Sequence, residues 1–257
     1  MDPSDLIDIN RIVYSKNLNQ MMIYKNFDIE ELSNYFLFHK IVKYADDTIL
    51  KYIIDNAIDL ECSDNDGWKP IHYFIRYGNP NIINYIINKG IDLECKNKDG
   101  RTPLHFAIKY STPEIIKNII DKTTNLESTD NEKWKPIHLC IRYSTPEIIK
   151  YIINKGIDLE SETNEKWRPI HLMIRYSTDD MVKYIIDKNV NLECEDNEKW
   201  RPIHYASRYS SPEIIKYIIN KGVDLKCQTS DGKYPIDFIE NFSTAKMLMY
   251  LKNLLNI

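Results

Sequence analysis

Histidine is the side chain best suited to acid–base chemistry or metal binding near neutral pH. This chain of 257 residues carries six, His39, His72, His105, His138, His171 and His204, every step being 33 residues. A second set of potential ligands keeps the same step: Cys62, Cys95, Cys194 and Cys227 each follow a histidine by 23 residues, with Ser128 and Ser161 filling the gap. The spacing itself argues against a metal centre. Units that recur every 33 residues stack at a helix-packing distance of about 8 to 10 Å, whereas two histidines sharing a zinc ion must each place a nitrogen about 2 Å from it. Neighbouring cysteines of the series likewise exceed the roughly 7 Å between Cα atoms that a disulfide spans. Carboxylates recur too, at Glu114, Glu147, Asp180 and Glu213, but at helix starts, three of them directly after proline, where they complement the helix dipole. No phosphate-binding glycine loop, GxSxG, HExxH or paired-cysteine zinc motif occurs. The expectation is a protein that is not an enzyme, with no catalytic residue, metal or cofactor. Its histidines order their own turns, and its thiols are buried or half-buried.

The residues left for function are cations and aromatics. Four before each histidine position stand Trp68, Arg101, Trp134, Trp167, Trp200 and Lys233, three of them preceded by Lys133, Lys166 and Lys199. Four and five after it stand Arg76 with Tyr77, Lys109 with Tyr110, Arg142 with Tyr143, Arg175 with Tyr176 and Arg208 with Tyr209. Tryptophan, tyrosine and arginine are the types enriched at binding hot spots. The chain as a whole is mildly acidic, with 34 Lys+Arg against 38 Asp+Glu, a net charge of −4 and a pI near 5.9. Binding nucleic acid through bulk positive charge is therefore disfavoured, while a local stripe of cations and aromatics suits a protein partner with an acidic patch. Two other readings stay open. Duplication alone can replicate residues that merely pack one unit on the next, and a Trp/Tyr and Lys/Arg stripe could form a single-stranded nucleic-acid-binding array.

These residues need elements to position them, and the 33-residue lattice supplies those as well. Six of the eleven prolines lie two residues before the histidine position, and four more lie eight after it, at Pro80, Pro113, Pro146 and Pro212. All seven glycines fall on three lattice positions. Residues that set backbone geometry thus recur in register, so each period is one supersecondary unit. In the unit containing His204, the stretch after Pro202 is apolar at helical spacing for about two turns. Ser211, Pro212 and Glu213 form a helix start, Ile214/Ile215 and Ile218/Ile219 make one apolar face, and Lys221 and Gly222 form its end. The segment to the next proline carries Asp-Gly punctuation and reads as a hairpin-like finger. The unit is helix, turn, helix, finger.

Arg101-Thr102-Pro103-Leu104-His105-Phe106-Ala107 resembles the TPLHxA signature of ankyrin repeats, and Gly90-Ile91-Asp92-Leu93 resembles that family's glycine-apolar-aspartate turn. The resemblance implies an all-α repeat solenoid. Residues 1–30 are an N-terminal cap with a degenerate half repeat; repeats follow at 31–63, 64–96, 97–129, 130–162, 163–195 and 196–228, and 229–257 is a C-terminal capping repeat with a second helix over residues 245–253. It also implies a monomeric protein-binding scaffold whose finger tips and first helices line a concave groove. The repetitive Asn-, Ile-, Lys- and Tyr-rich units are similar to the ankyrin proteins of large DNA viruses of amoebae (mimivirus-like), which suggests a viral factor engaging a host protein. The start of the chain is too acidic for a signal peptide and no stretch is apolar enough for a membrane span, so a cytoplasmic location is expected. Departures from the family pattern are systematic. Its threonine survives only as Thr102, being Lys69, Lys135, Arg168, Arg201 or Tyr234 elsewhere, which predicts a looser tie on the histidine ring. Its turn-closing asparagine is Glu61, Glu94, Glu127, Glu160, Glu193 or Lys226.

Overall fold

The computed structural model describes residues 41–43, 45–56 and 60–241. The expected N-terminal cap over 1–30 and the expected last helix over 245–253 lie outside them. The described elements are α1 (Asp47–Asn56), α2 (Pro70–Tyr77), α3 (Pro80–Asn88), α4 (Pro103–Tyr110), α5 (Pro113–Lys122), α6 (Pro136–Tyr143), α7 (Pro146–Ile153), α8 (Pro169–Tyr176), α9 (Asp179–Ile186), α10 (Pro202–Tyr209), α11 (Pro212–Ile219) and a 3₁₀ helix (Pro235–Asn241). No strand occurs among the described residues. The architecture is that of an all-α repeat solenoid.

Proline starts the helices because the first turn has no use for the donor that proline lacks. The even-numbered helices after α1 are short and bury almost every side chain up to their last turn; α8 buries Pro169 through Ile174 and exposes only Arg175 and Tyr176. The odd-numbered ones bury paired apolar residues four apart, mostly isoleucines, as Ile148/Ile149 and Ile152/Ile153 do in α7. Asn79 caps α3 by accepting the Ile82 N–H at 3.1 Å, and Ser211 caps α11 by accepting the Ile214 N–H at 3.4 Å. After α11 the chain tightens into i→i−3 bonds and leaves at Gly222, whose φ of 85° only glycine adopts without strain.

The contacts divide the chain into two compact units, Met1–Asp130 and Asn131–Ile257. Within the first, α2 packs on α4, α1 on α3 and α3 on α5; within the second, α6 packs on α8, α8 on α10 and α9 on α11. Within each unit, first helices therefore form one layer and second helices another, a helix-on-helix core whose isoleucines are almost wholly buried. The last unit departs from the others: the chain after Pro235 forms a 3₁₀ helix packed on α10. There the Asp237 carboxylate accepts the Tyr234 N–H at 2.8 Å, the place histidine takes in the other units.

Fingers are built by a hydrogen bond across each base and one within each tip. The Thr163 N–H donates to the Trp167 carbonyl and the Lys166 N–H to the Thr163 carbonyl; Asp196, Lys199 and Trp200 repeat the pattern. A backbone bond links successive fingers, from the Asn197 N–H to the Glu165 carbonyl and from the Ser230 N–H to the Glu198 carbonyl, and the Asn197 side-chain amide adds a bond to the Asn164 carbonyl at 3.0 Å.

Candidate functional site

The histidine ladder lies inside the fold. The backbone N–H of Lys69, Thr102, Lys135, Arg168 and Arg201 donates to Nδ1 of the histidine three residues on, at 3.0–3.2 Å. Accepting at Nδ1 leaves the proton on Nε2, which in His138 and His171 faces the carbonyls of Ser161 and Cys194 at 3.2 and 3.3 Å. The tie expected to loosen without threonine is therefore intact, because it rests on a backbone donor that every residue but proline carries; Thr102 merely adds a 2.8 Å contact from Oγ1. Desolvation pushes His72 and His171 down to about 4.

Cys194 and Cys227 bring Sγ within 3.5 and 3.7 Å of His171 and His204 Nε2. Burial opposes an activated pair: it pushes the Cys194 thiol up to about 12 and its histidine down, so both stay neutral. The thiol instead donates to the Asn191 carbonyl at 3.1 Å, and the Ser161 hydroxyl makes the same bond to the Asp158 carbonyl. That shared local bond explains how serine and cysteine alternate at this position. Among the described residues no group of three or more His, Cys, Asp or Glu side chains could hold a metal ion, and no helix is long and apolar enough to cross a membrane.

Cations occupy the first helices at both ends, in contrasting settings. At the N-terminal end, Arg168 binds Glu160 at 2.5 Å and Glu162 at 2.7 Å, and Arg201 binds Glu193 at 2.5 Å and Glu195 at 2.9 Å. Lys69 pairs with Glu61 at 2.6 Å and Lys135 with Asp158 at 3.4 Å. The glutamates hold the next turn with their other oxygen: Glu160 Oε1 accepts the Asn191 N–H and Glu193 Oε1 the Asp224 N–H. At Lys69, Arg168 and Arg201, cation-for-threonine and glutamate-for-asparagine are thus one compensated exchange. The signal was in the sequence, as two departures eight residues apart in each of these three repeats.

At the C-terminal end the arginines stack on aromatic rings. In the first unit Arg76 lies 5.4 Å from the Trp68 ring, 5.3 Å from Tyr77 and 5.2 Å from Tyr110; Lys109 lies 5.4 Å from Tyr110. In the second, Arg142 lies over Trp134, Tyr143 and Tyr176 at 5.6, 5.3 and 5.6 Å, and Arg175 over Trp167, Tyr176 and Tyr209 at 5.1, 5.4 and 5.5 Å. Arg208 lies over Trp200 and Tyr209 at 5.6 and 5.4 Å. None of these four arginines pairs with a carboxylate among the described residues. Their tyrosines are 40–45% exposed at Tyr110, Tyr143, Tyr176 and Tyr209; Tyr77 is half-buried.

The tryptophans are half-buried and serve two neighbours. One side carries the arginine. The other packs on the same or the next unit: Trp68 lies 4.6 Å from Phe106, and Trp200 lies 4.4 Å from Phe238 and 5.1 Å from Tyr205. The other tip residues differ. Arg101 reaches Asp130 at 3.4 Å and Asp99 at 3.8 Å, and Lys233 pairs with Asp231 at 3.3 Å. Lys133, Lys166 and Lys199 adopt φ of 57–60°, where Gly67, Gly100 and Gly232 stand in other fingers at 75–77°.

Within the second unit, Trp167, Arg175, Trp200, Tyr205, Arg208 and Tyr209 line a groove of about 580 Å³. Sequence reasoning brought five of these together and missed what closes the finger side: Glu165, Asp196 and Glu198. Asp196 is buried and engaged. Its Oδ1 accepts the Glu198 and Trp200 N–H groups at 2.9 Å and its Oδ2 the Tyr205 hydroxyl at 2.6 Å, which together with burial raises the tyrosine's pKa. Glu165 and Glu198 are exposed. The groove thus has a basic helix rim, an acidic finger rim and an aromatic floor.

A family model described as ankyrin repeats, in three copies, matches residues 13–97, 37–130, 90–163 and 137–229. A comparison with curated proteins found no match.

Proposed function

Since the chain belongs to the ankyrin repeat family, whose members generally mediate protein–protein interaction, we propose that it is a non-catalytic scaffold that docks a protein partner against the arginine–aromatic face of its first helices and fingers. The observation that carries this reading is the row of exposed guanidiniums at Arg142, Arg175 and Arg208 in the second unit, with Arg76 in the same setting in the first, held on aromatic rings with no carboxylate attached among the described residues. Stacking fixes where each guanidinium lies while leaving its N–H donors open, so a partner carboxylate meets a preorganised bidentate site. The Asn-, Ile-, Lys- and Tyr-rich composition supports a further step, a viral factor engaging a host protein in the host cytoplasm. Single-stranded nucleic acid fits less well: the chain's own arginines occupy the aromatic faces that bases would need, and Glu165 and Glu198 repel phosphates at the finger rim.

The test reverses two charges. Arg175→Glu with Arg208→Glu is compared with the native chain for proteins captured from cells of its source or host, alongside denaturant midpoints. The expected result is loss of a specific captured protein at an unchanged midpoint. Retention of every captured protein by the double variant would remove the reading, and salt-steep binding of oligonucleotides without protein capture would replace it with the nucleic-acid one.

A further inference from the structure

We propose, resting on the docking reading above, that the groove of the second unit takes an extended acidic segment of the partner in which a carboxylate recurs at every third residue. Three observations define that ligand. The first is spacing. Arg142 and Arg175 share the Tyr176 ring, and Arg175 and Arg208 share the Tyr209 ring, all at 5.4–5.6 Å from the centroid. Neighbouring guanidiniums therefore lie at most about 11 Å apart, within reach of residues i and i+3 of a polyproline-II chain, which returns to the same face every third residue after about 9 Å.

The second observation concerns donors. The indole N–H groups of Trp167 and Trp200 and the hydroxyls of Tyr176 and Tyr209 have no acceptor among the described residues. An extended chain without internal hydrogen bonds offers its carbonyls to such donors, whereas a helix has already used its own. Aromatic-lined grooves are how polyproline-II segments are gripped in general.

The third is the acidic finger rim. Glu165 and Glu198 face the same groove as the arginines. A run of consecutive carboxylates would place some of them against that rim, so the site favours acids in register with the arginines and opposes a polyacid.

The experiment uses the full chain and fluorescein-labelled peptides of about twelve residues, read by fluorescence anisotropy at low and moderate salt. A Glu-Pro-Ala repeat should bind at least roughly tenfold tighter than a peptide of the same composition with its glutamates clustered, and tighter than an all-glutamate peptide. Arg175→Gln should abolish that preference. Arg201→Gln, which removes the same charge from the paired end of a first helix, should leave it intact. Equal or tighter binding of the clustered, the all-glutamate or a helical peptide with glutamate every seventh residue would overturn the inference. No binding of any peptide, with Arg175→Glu and Arg208→Glu still losing a captured protein, would overturn it while leaving the docking reading standing.

Discussion

Arg168 and Arg175 are seven residues apart on one helix and its cap, yet they are different kinds of residue. Arg168 is held by Glu160 and Glu162, and Arg175 by the faces of Trp167, Tyr176 and Tyr209. Arg201 and Arg208 repeat the contrast, as do Lys69 and Arg76 in the first unit. Ion pairing satisfies a guanidinium from within the chain; stacking fixes it and leaves its donors unsatisfied. Equal periodicity therefore says nothing about equal role, and the neighbours decide. The cap end is structural, and the helix C-terminal end is where the chain can still gain hydrogen bonds from outside.

The largest way to break the cap end is acid. His72 and His171 carry the bonds that shape their caps, and both titrate near 4 in the folded chain against about 6.5 when unfolded. Between those values the unfolded chain binds more protons, so this stability is fully present above pH 6.5 and is lost as pH falls toward 4. Each of the two buried rings should contribute a loss of roughly 3 kcal/mol by pH 4. Denaturant midpoints followed from pH 7.5 to 4.5 check this, with His171→Gln expected to flatten the slope. A flat native profile would mean that the rings are not buried and neutral.

Next in size is Trp200→Ala. The indole fills space between Tyr205 and Phe238 while its other face carries Arg208. Full burial would cost about 3 to 5 kcal/mol on truncation; for a half-buried ring about 2 to 3 is expected, read by urea unfolding. Arg208→Ala should cost less than about 1 kcal/mol, the size of an exposed cation–π contact. If the two variants lost equal stability, tryptophan would be a docking residue only and its packing role would fall.

The contrast of the two ends is sharpened by Arg201→Ala against Arg175→Ala. Half-exposed ion pairs are worth up to about 1 kcal/mol and fade with salt, so Arg201→Ala should lower the midpoint at low salt and do less at high salt. Arg175→Ala should show little salt dependence in stability but lose partner binding by about 2 kcal/mol, as hot-spot arginines do. Salt-insensitive loss at Arg201 would dissolve the distinction.

The sequence made some of this legible. Prolines and histidines on one lattice fixed the helix starts, because each acts through backbone geometry that recurs wherever the residue does. The histidine tie was not legible from the loss of threonine, because the bond belongs to the backbone N–H, which any residue but proline carries, and the Thr102 hydroxyl only adds to it. The glutamate partners Glu160 of Arg168 and Glu193 of Arg201 lie eight residues earlier, in the preceding repeat, so the pair closes only when one repeat stacks on the next. Stacking of Arg175 on three rings from two successive units depends on rotamers and on the neighbouring unit, which no linear spacing encodes. The 3₁₀ helix after Pro235 was equally invisible behind a proline that starts α-helices elsewhere.

The smallest expected effect bears on the finger tips. Lys133, Lys166 and Lys199 hold φ near 60°, a region that costs a residue with a Cβ roughly 1 to 2 kcal/mol and glycine nothing. Gly67, Gly100 and Gly232 occupy the same place in other fingers. Glycine gives back part of that advantage through the greater entropy of its unfolded chain, about 0.5 to 1 kcal/mol. Lys166→Gly should therefore stabilise the protein by about 0.5 kcal/mol, whereas Lys166→Ala removes the same amine without relieving the backbone and should not. Both lose the tip charge beside Trp167. If the amine helps steer an acidic partner, both variants should slow association to the same extent and weaken its salt dependence, since rim charges act mainly on the on-rate. Stabilisation by both would mean that the side chain, not the backbone angle, is the strained part. Unchanged association rates in both would confine partner recognition to the arginine rim.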